Sequence, residues 1–591
     1  MCPHTNSLES LAYLNKYLLR YKLRLALGVL FVGLSVYFSI LIPPTIRNAL
    51  NFIQDKTKAE GLPDVPFIEY LGSDVLRFGI MVIGFSIISG FFMYCMRKTI
   101  IVMSRLIEYD LRKDIYKKYQ DLDLAFYKRS QTGDLMSRIS GDVSKVRMYL
   151  GPAIMYGIRV TFLFSFIIYS MFSVHSTLTL YALLPLPFLS ISIYYVSSII
   201  NKRSTLIQEQ VAKLNSIAQE VYSGIRIVKS YVKESAFTDY FESESTDYKN
   251  KALRLARVQA LFFPLMILLV SISTLITIYL GGTLVMKGEI TTGNIAEFII
   301  YINMLTWPIT SIGWIASLIQ QAAASQTRIN KILMTEPAIT SSVSDAGQIQ
   351  GTIEFRNVSF TYPDTGIEAL KNVSFKVNKG ERIAIVGKTA SGKSTIADLL
   401  LRFYDTTEGE ILIDGKNIKE HDLHNLRFKI GYVPQNVFLF SNTVEENIGF
   451  GMLDSALDSV KEYAAIAAVD RDIEQFRDQY GTMVGERGVT LSGGQKQRLS
   501  IARALIKEPD LVIMDDCLSA VDANTEFQIL SHLNASLKDK TSIIITHRIS
   551  NLLTFDRILV LQEGRLKQYG THDELMSKDG FYKQLVEHQG N

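Results

Sequence analysis

Six long apolar runs dominate the first half of the chain, and polar segments separate them. They cover residues 23–46, 75–96, 151–174, 177–200, 260–285 and 295–319. Each run is about 20 residues or longer, which is enough for a helix to cross a hydrocarbon core of about 30 Å. A helix buried inside a large soluble protein needs an apolar run of only about 10–14 residues. The pattern therefore predicts six membrane-spanning helices.

Two of the intervening polar segments, residues 97–150 and 201–257, are long and still show helical periodicity. Within them, residues 106–119 and 211–231 repeat Leu, Ile, Val and Tyr at helical spacing between charged positions. We therefore expect the spans to continue as helices well beyond the membrane, with a turn at the tip of each segment.

The periodicity changes near residue 351. Residues 320–351 pass from a helical pattern into Thr335-Glu336-Pro337 and then into a stretch rich in Ser, Gly and Asp, which is the composition of a linker. After this stretch, short β-branched strands alternate with helices, as is typical of an α/β domain. The predicted organisation is a transmembrane domain at 1–325, a linker at 326–350 and an α/β domain at 351–591.

The composition agrees with a mixture of membrane and soluble parts. Of the 591 residues, 20% are charged and 48% are hydrophobic, whereas soluble domains carry about 25% charged residues. The net charge of +4, from 62 basic and 58 acidic residues, gives no reason to expect a nucleic-acid partner. The three cysteines, Cys2, Cys95 and Cys517, are scattered, which argues against a metal cluster or a disulfide framework.

Lysine and arginine are unevenly divided among the segments that join the runs. Four lie in the N-terminal tail, twelve in residues 97–150 and ten in residues 201–257, whereas residues 47–74 carry only three. Basic residues concentrate on the cytoplasmic side of membrane proteins. We therefore expect a multi-pass protein of the cell membrane whose termini and α/β domain are cytoplasmic. Pro43-Pro44, where a small-residue cleavage site would lie, argues against a cleavable signal peptide.

A buried strand that leads directly into a glycine-rich loop carries the first chemical motif. The strand is Ile383-Ala384-Ile385-Val386, and the loop has the P-loop pattern GxxxxGK[ST] before an apolar helix. The backbone N–H groups of such a loop bind phosphates at a helix N-terminus. Lys393 is expected to reach the β- and γ-phosphates, and Ser394 to bind Mg²⁺. The predicted nucleotide-binding residues are Gly387, Lys388, Thr389, Ala390, Ser391, Gly392, Lys393, Ser394 and Thr395.

A second buried strand, about 120 residues further on, ends in a carboxylate. Its sequence is Leu511-Val512-Ile513-Met514-Asp515. An aspartate at such a strand end, beside a P-loop, is the usual second Mg²⁺ anchor, either directly or through water. The strand motif alone is weak, because apolar strands often end in Asp, but the two motifs together predict a site for ATP and Mg²⁺.

Between these motifs lies the pentapeptide LSGGQ, made of Leu491, Ser492, Gly493, Gly494 and Gln495. With the two phosphate-site motifs and the six spans, this chain resembles the ATP-binding cassette (ABC) transporter family, and specifically one half of an exporter. The resemblance implies a six-helix, all-α transmembrane domain followed by an α/β P-loop NTPase domain with helical and antiparallel β subdomains. It also implies an ATPase-coupled transporter that moves an amphipathic drug, lipid or peptide out of the cytoplasm by alternating access.

The resemblance extends to further site residues. Tyr362 is similar to the aromatic residue that stacks on adenine, Gln435 to the glutamine that contacts Mg²⁺, and His547 to the histidine that contacts the γ-phosphate. The segment from Gly485 to Gly488 resembles one that exporters use for cross-talk with the cytoplasmic loops. The implied D-loop is Ser519, Ala520, Val521 and Asp522; the implied catalytic residues are Lys393, Gln435, Asp516 and His547; and the implied metal ligands are Ser394, Gln435 and Asp515.

The resemblance also implies a dimer, because one chain carries one copy of each motif and six spans. In the family, LSGGQ binds the ATP held by the opposite subunit, so two chains complete two ATP sites and one translocation path in the bilayer. The tips of the long polar segments, at residues 126–132 and 217–229, are candidates for the coupling helices that transmit closure of the cassettes.

One position departs from the family pattern. The residue after Asp515 is normally a glutamate that polarises the attacking water, but here it is Asp516. Its side chain is one methylene shorter, and a misplacement of about 1 Å can cost about 10²-fold in rate. In the family this change often marks the degenerate site of a heterodimer. We favour a heterodimer whose partner supplies the glutamate; the alternative is a homodimer with two slow sites.

The membrane half gives less information about the cargo. Arg159, Tyr301, Trp307 and Trp314 are candidates for the substrate pathway, with interfacial anchoring as the competing interpretation. Arg77 and Glu297 lie near the ends of runs and are expected to reach the membrane surface. An ATP-gated regulator or channel is the alternative to an exporter, and an import role also stays open.

Overall fold

The computed structural model describes residues 9–60, 67–341, 347–452, 455–485, 488, 491–518, 523–546 and 555–589. The described residues form two compact units. One unit comprises the residues up to Tyr119 together with Gly133–Thr335, and the other comprises Gln120–Thr132 together with the residues from Glu336 onward. The tip of the first long polar segment therefore belongs to the same unit as the α/β domain.

The first thirteen helices account for almost all of the N-terminal half. They are α1 (Asn15–Arg20), α2 (Lys22–Ile40), α3 (Ile42–Glu60), α4 (Phe67–Asp121), α5 (Leu124–Arg129), α6 (Thr132–Ser137), α7 (Val143–Met148), α8 (Ile154–Val174), α9 (Ser176–Leu183), α10 (Pro185–Ser223), α11 (Ile225–Ser230), α12 (Glu234–Met286) and α13 (Thr292–Leu333). A 3₁₀ turn at Glu9–Leu14 precedes α1, and π-helical turns at Arg138–Asp142 and Tyr149–Ala153 join α6 to α7 and α7 to α8.

These helices confirm the six predicted spans. Among the described residues, six helical segments are long and apolar enough to cross a membrane: Lys22–Lys58, Val75–Asp121, Thr132–Val174, Ser176–Ser223, Glu234–Met286 and Thr292–Leu333. Several are much longer than a bilayer requires; α12 has 53 residues, which is about 80 Å at about 1.5 Å per residue. The expected continuation of the spans beyond the membrane is therefore confirmed.

The sixth span ends later than the sequence pattern indicates. Helix α13 continues to Leu333, eight residues into the stretch assigned to the linker. Ile329 and Ile332 are buried, and Ile329 joins the apolar core that the first unit builds from α2, α4, α8 and α13. Burial of these two side chains extends the helix past the residue at which its sequence becomes polar.

The described part of the second unit contains two sheets. The strands are β1 (Ile353–Thr361), β2 (Glu368–Val377), β3 (Arg382–Gly387), β4 (Glu408–Ile413), β5 (Lys416–Asn417), β6 (Ile430–Val433), β7 (Leu511–Asp515), β8 (Thr541–Ile545), β9 (Arg557–Gln562) and β10 (Arg565–Gly570). The smaller sheet has the order β2-β1-β4-β5 and is antiparallel. The larger sheet has the order β10-β9-β3-β8-β7-β6, and it is parallel except for the β9–β10 pair.

The described residues of this unit also form nine helices. They are α14 (Lys393–Leu400), α15 (Leu423–Lys429), α16 (Val444–Gly449), α17 (Leu457–Ile466), α18 (Asp470–Glu474), α19 (Gly493–Leu505), α20 (Ala523–Ser536), α21 (His572–Met576) and α22 (Phe581–Gln589). Short 3₁₀ turns occupy Ile418–Glu420 and Gln479–Gly481. Helices α16, α17 and α19 share an apolar core with one face of β7, so they form a helical layer beside the sheet.

The register of the parallel sheet brings the predicted motifs together. Residues of β7 and β8 are buried along their whole length, as expected for central parallel strands. Ile385 of β3 pairs with Ile545 of β8, which in turn pairs with Asp515 of β7. Because parallel strands end at the same edge, the residues after β3, β6, β7 and β8 form one crevice, which is where open α/β sheets bind ligands.

Candidate functional site

The loop between β3 and α14 has a backbone that requires glycine. Gly392 has φ +96° at the start of α14, and a Cβ there would collide with the carbonyl oxygen of Ala369. A Cβ on Gly387 would likewise collide with the carbonyl oxygen of Leu561. Each glycine therefore permits a close backbone approach that a larger residue would block, and the loop is held tightly against its neighbours.

Lys393 folds back over this loop. Its Nζ donates to the carbonyl oxygens of Gly387, at 3.0 Å, and Lys388, at 2.8 Å. Burial lowers the pKa of the Lys393 ammonium group, and the negative charges of Asp515 and Asp516 oppose that change. The structure therefore brings this lysine into the field of Asp515, at the end of β7, and of Asp516, the next residue.

The three predicted metal ligands lie at the same edge of the sheet. Asp515 is buried at the end of β7, whereas Ser394 and Gln435 are exposed. A hydroxyl, an amide and a carboxylate are the oxygen donors that Mg²⁺ prefers, so the residues present fit the ion. In such a site Mg²⁺ neutralises the charge that develops on the phosphates.

Asp516 is positioned by its backbone and contacts Gln435. Its N–H donates to the carbonyl oxygen of Ile545, at 2.9 Å, which ties the residue to the neighbouring strand. Gln435 Nε2 donates to Asp516 Oδ2 over 3.3 Å. Because the backbone is tied to β8, the length of the side chain determines how far this carboxylate reaches.

The side chain of Tyr362, the residue after β1, packs against α14, the helix that follows the P-loop. Its hydroxyl is within hydrogen-bond distance of Thr395 Oγ1, at 3.0 Å, and donates to Asp398 Oδ2, at 3.3 Å. Burial raises the pKa of the Tyr362 hydroxyl to about 12, so the group stays protonated at neutral pH. Asp398 and Tyr404, which both contact Tyr362, were not singled out by the sequence, since neither belongs to a motif.

The LSGGQ segment begins α19 with a capping box. Ser492 Oγ accepts from the N–H of Gln495 at 3.3 Å, and Gln495 Oε1 accepts from the N–H of Ser492 at 3.0 Å. Gln495 also donates to Asp472, which forms an ion pair with Arg498. Sequence reasoning missed these two charged residues, but the S-x-x-Q spacing is itself a capping-box signal.

Several predicted site residues lie outside the described residues. These are His547, the D-loop residues Ser519, Ala520, Val521 and Asp522, and Glu486 and Arg487. The last described residue after β8 is Thr546, whose N–H donates to the carbonyl oxygen of Ile385 at 3.2 Å. The role of His547 therefore stays a prediction.

The aromatic candidates in the sixth span differ in their environment. Trp307 and Trp314 are exposed, and Tyr156 of α8 makes edge-to-face contacts with both, at ring-centroid distances of 5.4 and 5.7 Å. Trp307 lines a cavity of about 760 Å³ between α12 and α13. Arg159 is half-buried. Tyr301 is fully buried and donates to Glu297, so in this conformation it presents no surface to a cargo.

The interpretation of Glu297 as a residue that reaches the membrane surface is wrong. Its carboxylate is 1% exposed and forms an ion pair with Arg47, at 3.1 Å between Arg47 Nη1 and Glu297 Oε2. Arg47 lies on α3, which packs tightly on α13 where Gly293 leaves no room for a side chain. Pairing compensates part of the cost of burying a carboxylate.

Short helices lie at the tips of both long polar segments, and α5 and α11 overlap only part of the predicted ranges 126–132 and 217–229. Helix α5 is capped by Asp123, whose Oδ1 accepts from Phe126 N at 2.9 Å and whose Oδ2 accepts from Ala338 N at 2.7 Å. Leu124 and Ala125 of α5 pack against the core of the α/β unit. Helix α11 instead leaves apolar residues at its end exposed: Ile227 is 65% and Tyr231 is 73% exposed.

Comparisons with known proteins agree with these motifs. The family model described as the ABC transporter transmembrane region matches residues 25–309, and the one described as ABC transporter matches residues 370–519. The chain is 36% identical to a probable multidrug resistance ABC transporter ATP-binding/permease protein, YheI, of Bacillus subtilis (strain 168), over 98% of this chain and 96% of that protein. It is 35% identical to an ATP-dependent lipid A-core flippase of Pseudomonas fluorescens (strain Pf0-1), over 81% of this chain and 79% of that protein.

A solved structure has the same fold along most of the chain. It is described as a bacterial Atm1-family ABC exporter with ATP bound, and it superposes with a TM-score of 0.80 at 26% sequence identity. The match covers 96% of this chain and 99% of that one. The predicted order of a six-helix membrane domain and an α/β P-loop domain is therefore confirmed.

Proposed function

Because this chain belongs to the ABC transporter family and carries a transmembrane region and an ATPase domain in one polypeptide, we propose that it is the slow-site half of a heterodimeric exporter. It is a multi-pass integral membrane protein and an ATP-driven exporter. The finer proposal concerns its partner: a second half-transporter that has glutamate where this chain has Asp516. The cargo is an amphipathic drug, lipid or peptide, and the ATPase domain and both termini are cytoplasmic.

The position of Asp516 carries this proposal. Its backbone is tied to β8 through Ile545, and its carboxylate lies within hydrogen-bond reach of Gln435. A glutamate on the same backbone would extend about 1 Å further toward the crevice where the phosphates bind. A shortfall of that size can lower the rate of a positioned reaction by about 10²-fold. The chain's own site therefore binds ATP and hydrolyses it slowly.

The intact LSGGQ segment indicates what this chain contributes to its partner. Ser492 and Gly493 are exposed at the N-terminus of α19, where backbone N–H groups and the helix dipole favour a phosphate. The capping box orders this helix start before any ligand binds. We expect Ser492 to contact the ATP held by the partner's P-loop and so to complete a site that contains the partner's glutamate.

Each residue of the chain's own site has a distinct proposed task. Lys393 leaves its two carbonyl partners and binds the β- and γ-phosphates. Tyr362 stacks on adenine. Ser394, Gln435 and Asp515 hold Mg²⁺, which offsets phosphate charge when bound. Asp516 orients the attacking water, and His547 contacts the γ-phosphate.

The exposed end of α11 is suited to dock on the partner's cassette. Ile227 and Tyr231 are apolar and exposed there. The α/β unit has an open groove of about 650 Å³, which Phe403, Tyr432 and Phe450 line. Burying apolar side chains in such a groove stabilises a complex by roughly 25 cal/mol per Å². We propose that α11 of each chain occupies this groove of the other, so that ATP-driven closure of the cassettes moves the spans.

Transport by the purified pair tests this function. The pair is reconstituted in vesicles with the cassettes outside, and uptake of a lipophilic dye is followed after addition of ATP and Mg²⁺. Export predicts uptake against a gradient, together with stimulation of the ATPase by the dye. The matched control is a pair that carries Lys393→Ala in this chain and the corresponding substitution in the partner's P-loop. Dye equilibration without uphill uptake would favour an ATP-gated channel or regulator instead.

A further inference from the structure

Lys128, at the tip of the first long polar segment, lies over two aromatic rings of the α/β unit. Its Nζ is 4.9 Å from the ring centroid of Tyr362 and 5.2 Å from that of Tyr404. An ammonium group within about 6 Å of a ring centroid is attracted by the electrons of the ring face. Lys128 itself is exposed, and besides the two rings it interacts with the Tyr404 hydroxyl and with the charge of Asp398.

The contacts of Lys128 continue through Tyr362 to α14, the helix that follows the P-loop. The Tyr362 hydroxyl donates to Asp398 Oδ2 at 3.3 Å, and Asp398 lies on α14 one turn beyond Ser394. Burial raises the pKa of Asp398, and the positive charge of Lys128 opposes that rise. Lys128 is therefore close enough to affect both the ring of Tyr362 and the carboxylate that accepts its hydrogen bond.

The helix that carries Lys128 is docked on the same unit. Leu124 and Ala125 pack against the α/β core, and Asp123 accepts from Ala338 N at 2.7 Å. The chain runs from one end of α5 back into α4 and from the other into α6. A displacement of this loop tip would therefore move Lys128 relative to the rings.

We propose that Lys128 is a positioning residue for ATP, which holds the Tyr362 ring in place for adenine and links the first cytoplasmic loop to the adenine subsite of its own chain. The inference rests on the proposed stacking of adenine on Tyr362. The Tyr362 ring is fixed at its hydroxyl by Thr395 and Asp398 and at its face by the ammonium group. Lys128 acts through the Tyr362 ring, so its contribution to nucleotide affinity depends on an adenine base that stacks on this ring.

Nucleotide binding to the purified full chain tests this inference. Isothermal titration compares AMP-PNP with tripolyphosphate, which presents three phosphates without a base. Lys128→Ala should weaken binding of AMP-PNP by about two- to five-fold, the usual worth of an exposed cation–π contact, and leave binding of tripolyphosphate unchanged. Lys128→Arg should restore the affinity for AMP-PNP. Arg129→Ala, which removes the same charge from the next residue, should have no effect.

The Tyr362→Leu background separates this inference from the proposed role of Tyr362. If Tyr362 stacks on adenine, Tyr362→Leu weakens AMP-PNP binding, and Lys128→Ala then adds nothing further. An equal loss for tripolyphosphate, or a loss that persists in the Tyr362→Leu background, would overturn the role of Lys128 alone, as would unchanged AMP-PNP binding in Lys128→Ala. Unchanged AMP-PNP binding in Tyr362→Leu would overturn both roles.

Discussion

Gln435 Nε2 donates a hydrogen bond to Asp516 Oδ2 over 3.3 Å. The contact joins the second residue after β6 to the first residue after β7, at the crevice that the P-loop also borders. It places the carboxylate that departs from the family pattern beside a proposed Mg²⁺ ligand. The chemistry of this chain's own site therefore depends on how far a single side chain reaches.

Lengthening that side chain should accelerate hydrolysis. We predict that Asp516→Glu raises the rate of hydrolysis at this chain's own site by roughly 10- to 100-fold, because it recovers about 1 Å of reach. Steady-state phosphate release by a pair in which the partner's site has been inactivated measures the effect. Asp516→Asn, which keeps the length but removes the charge, is the control and should lower the rate. If Asp516→Glu gives no increase, the shorter carboxylate is not what limits hydrolysis.

Replacing Ser492 of the LSGGQ segment should lower the ATPase rate more than the stability of the fold. Ser492→Ala loses a helix cap worth about 1 kcal/mol and the proposed contact with the partner's ATP. We expect the ATPase rate to fall by about 10-fold, as for a hydrogen bond to a charged group, while ATP binding to the chain's own P-loop is retained. Thr571→Ala is a matched control, since Thr571 Oγ1 accepts from Glu574 N at the same 3.3 Å in another capping box. An equal loss of ATPase rate in the two variants would show that Ser492 acts only as a helix cap.

Lys507, a half-buried lysine just beyond the end of α19, should make stability depend on pH. Lys507 Nζ donates to the carbonyl oxygen of Arg427 at 2.9 Å, and burial lowers the pKa of Lys507 from 10.5 to about 8. Between these pH values the unfolded chain binds more protons than the folded one, so the free energy of unfolding rises with pH.

Melting curves at pH 7.5 and 9.5 measure this effect. The wild-type chain should gain stability relative to Lys507→Met as the pH rises, by at most about 3 kcal/mol over the whole interval. The exposed residue Lys538 supplies the control Lys538→Met, which should follow the wild type. A difference between wild type and Lys507→Met that stays constant over this range would contradict the assignment.

The two residues of the ion pair between α3 and α13 should contribute unequally to the stability of the membrane unit. Glu297 is 1% exposed, whereas Arg47 is 27% exposed. Removing Arg47 leaves a buried carboxylate without its cation, which can cost about 3–5 kcal/mol, whereas removing the charge of Glu297 leaves an arginine that can reach solvent. We therefore predict that Arg47→Met lowers the melting temperature of the membrane unit more than Glu297→Gln does. The double variant should lose less than the sum, and the reverse order would contradict the burial argument.

Much of the architecture was predictable because its physical requirements leave strong patterns. A membrane span needs about 20 apolar residues, and the six runs meet that requirement over enough length to be read without ambiguity. The P-loop pattern requires a strand before it and a helix after it, and β3 and α14 supply both. The tips of the long segments were located only approximately: α5 and α11 overlap the predicted ranges, but residues 217–223 belong to α10.

The features that escaped prediction depend on partners distant in the chain. Glu297 lies at the end of an apolar run, and its position gives no sign of Arg47, which is 250 residues away. Lys128 belongs to no motif, and only the docking of α5 places it over Tyr362. Helix α3 contains Pro43-Pro44 in its first turn and has a less apolar sequence, and its packing on α13 involves Asn51, which accepts from Gly293 N at 3.0 Å.

The composition of the native complex tests the central claim most directly. The tagged chain is recovered from its native membrane in mild detergent, and the co-purified proteins are identified and quantified by mass spectrometry. If the chain works as a heterodimer, one further half-transporter is recovered in equal amount, and it has glutamate at the position that corresponds to Asp516. Recovery of only this chain, as a homodimer, would contradict the heterodimer proposal.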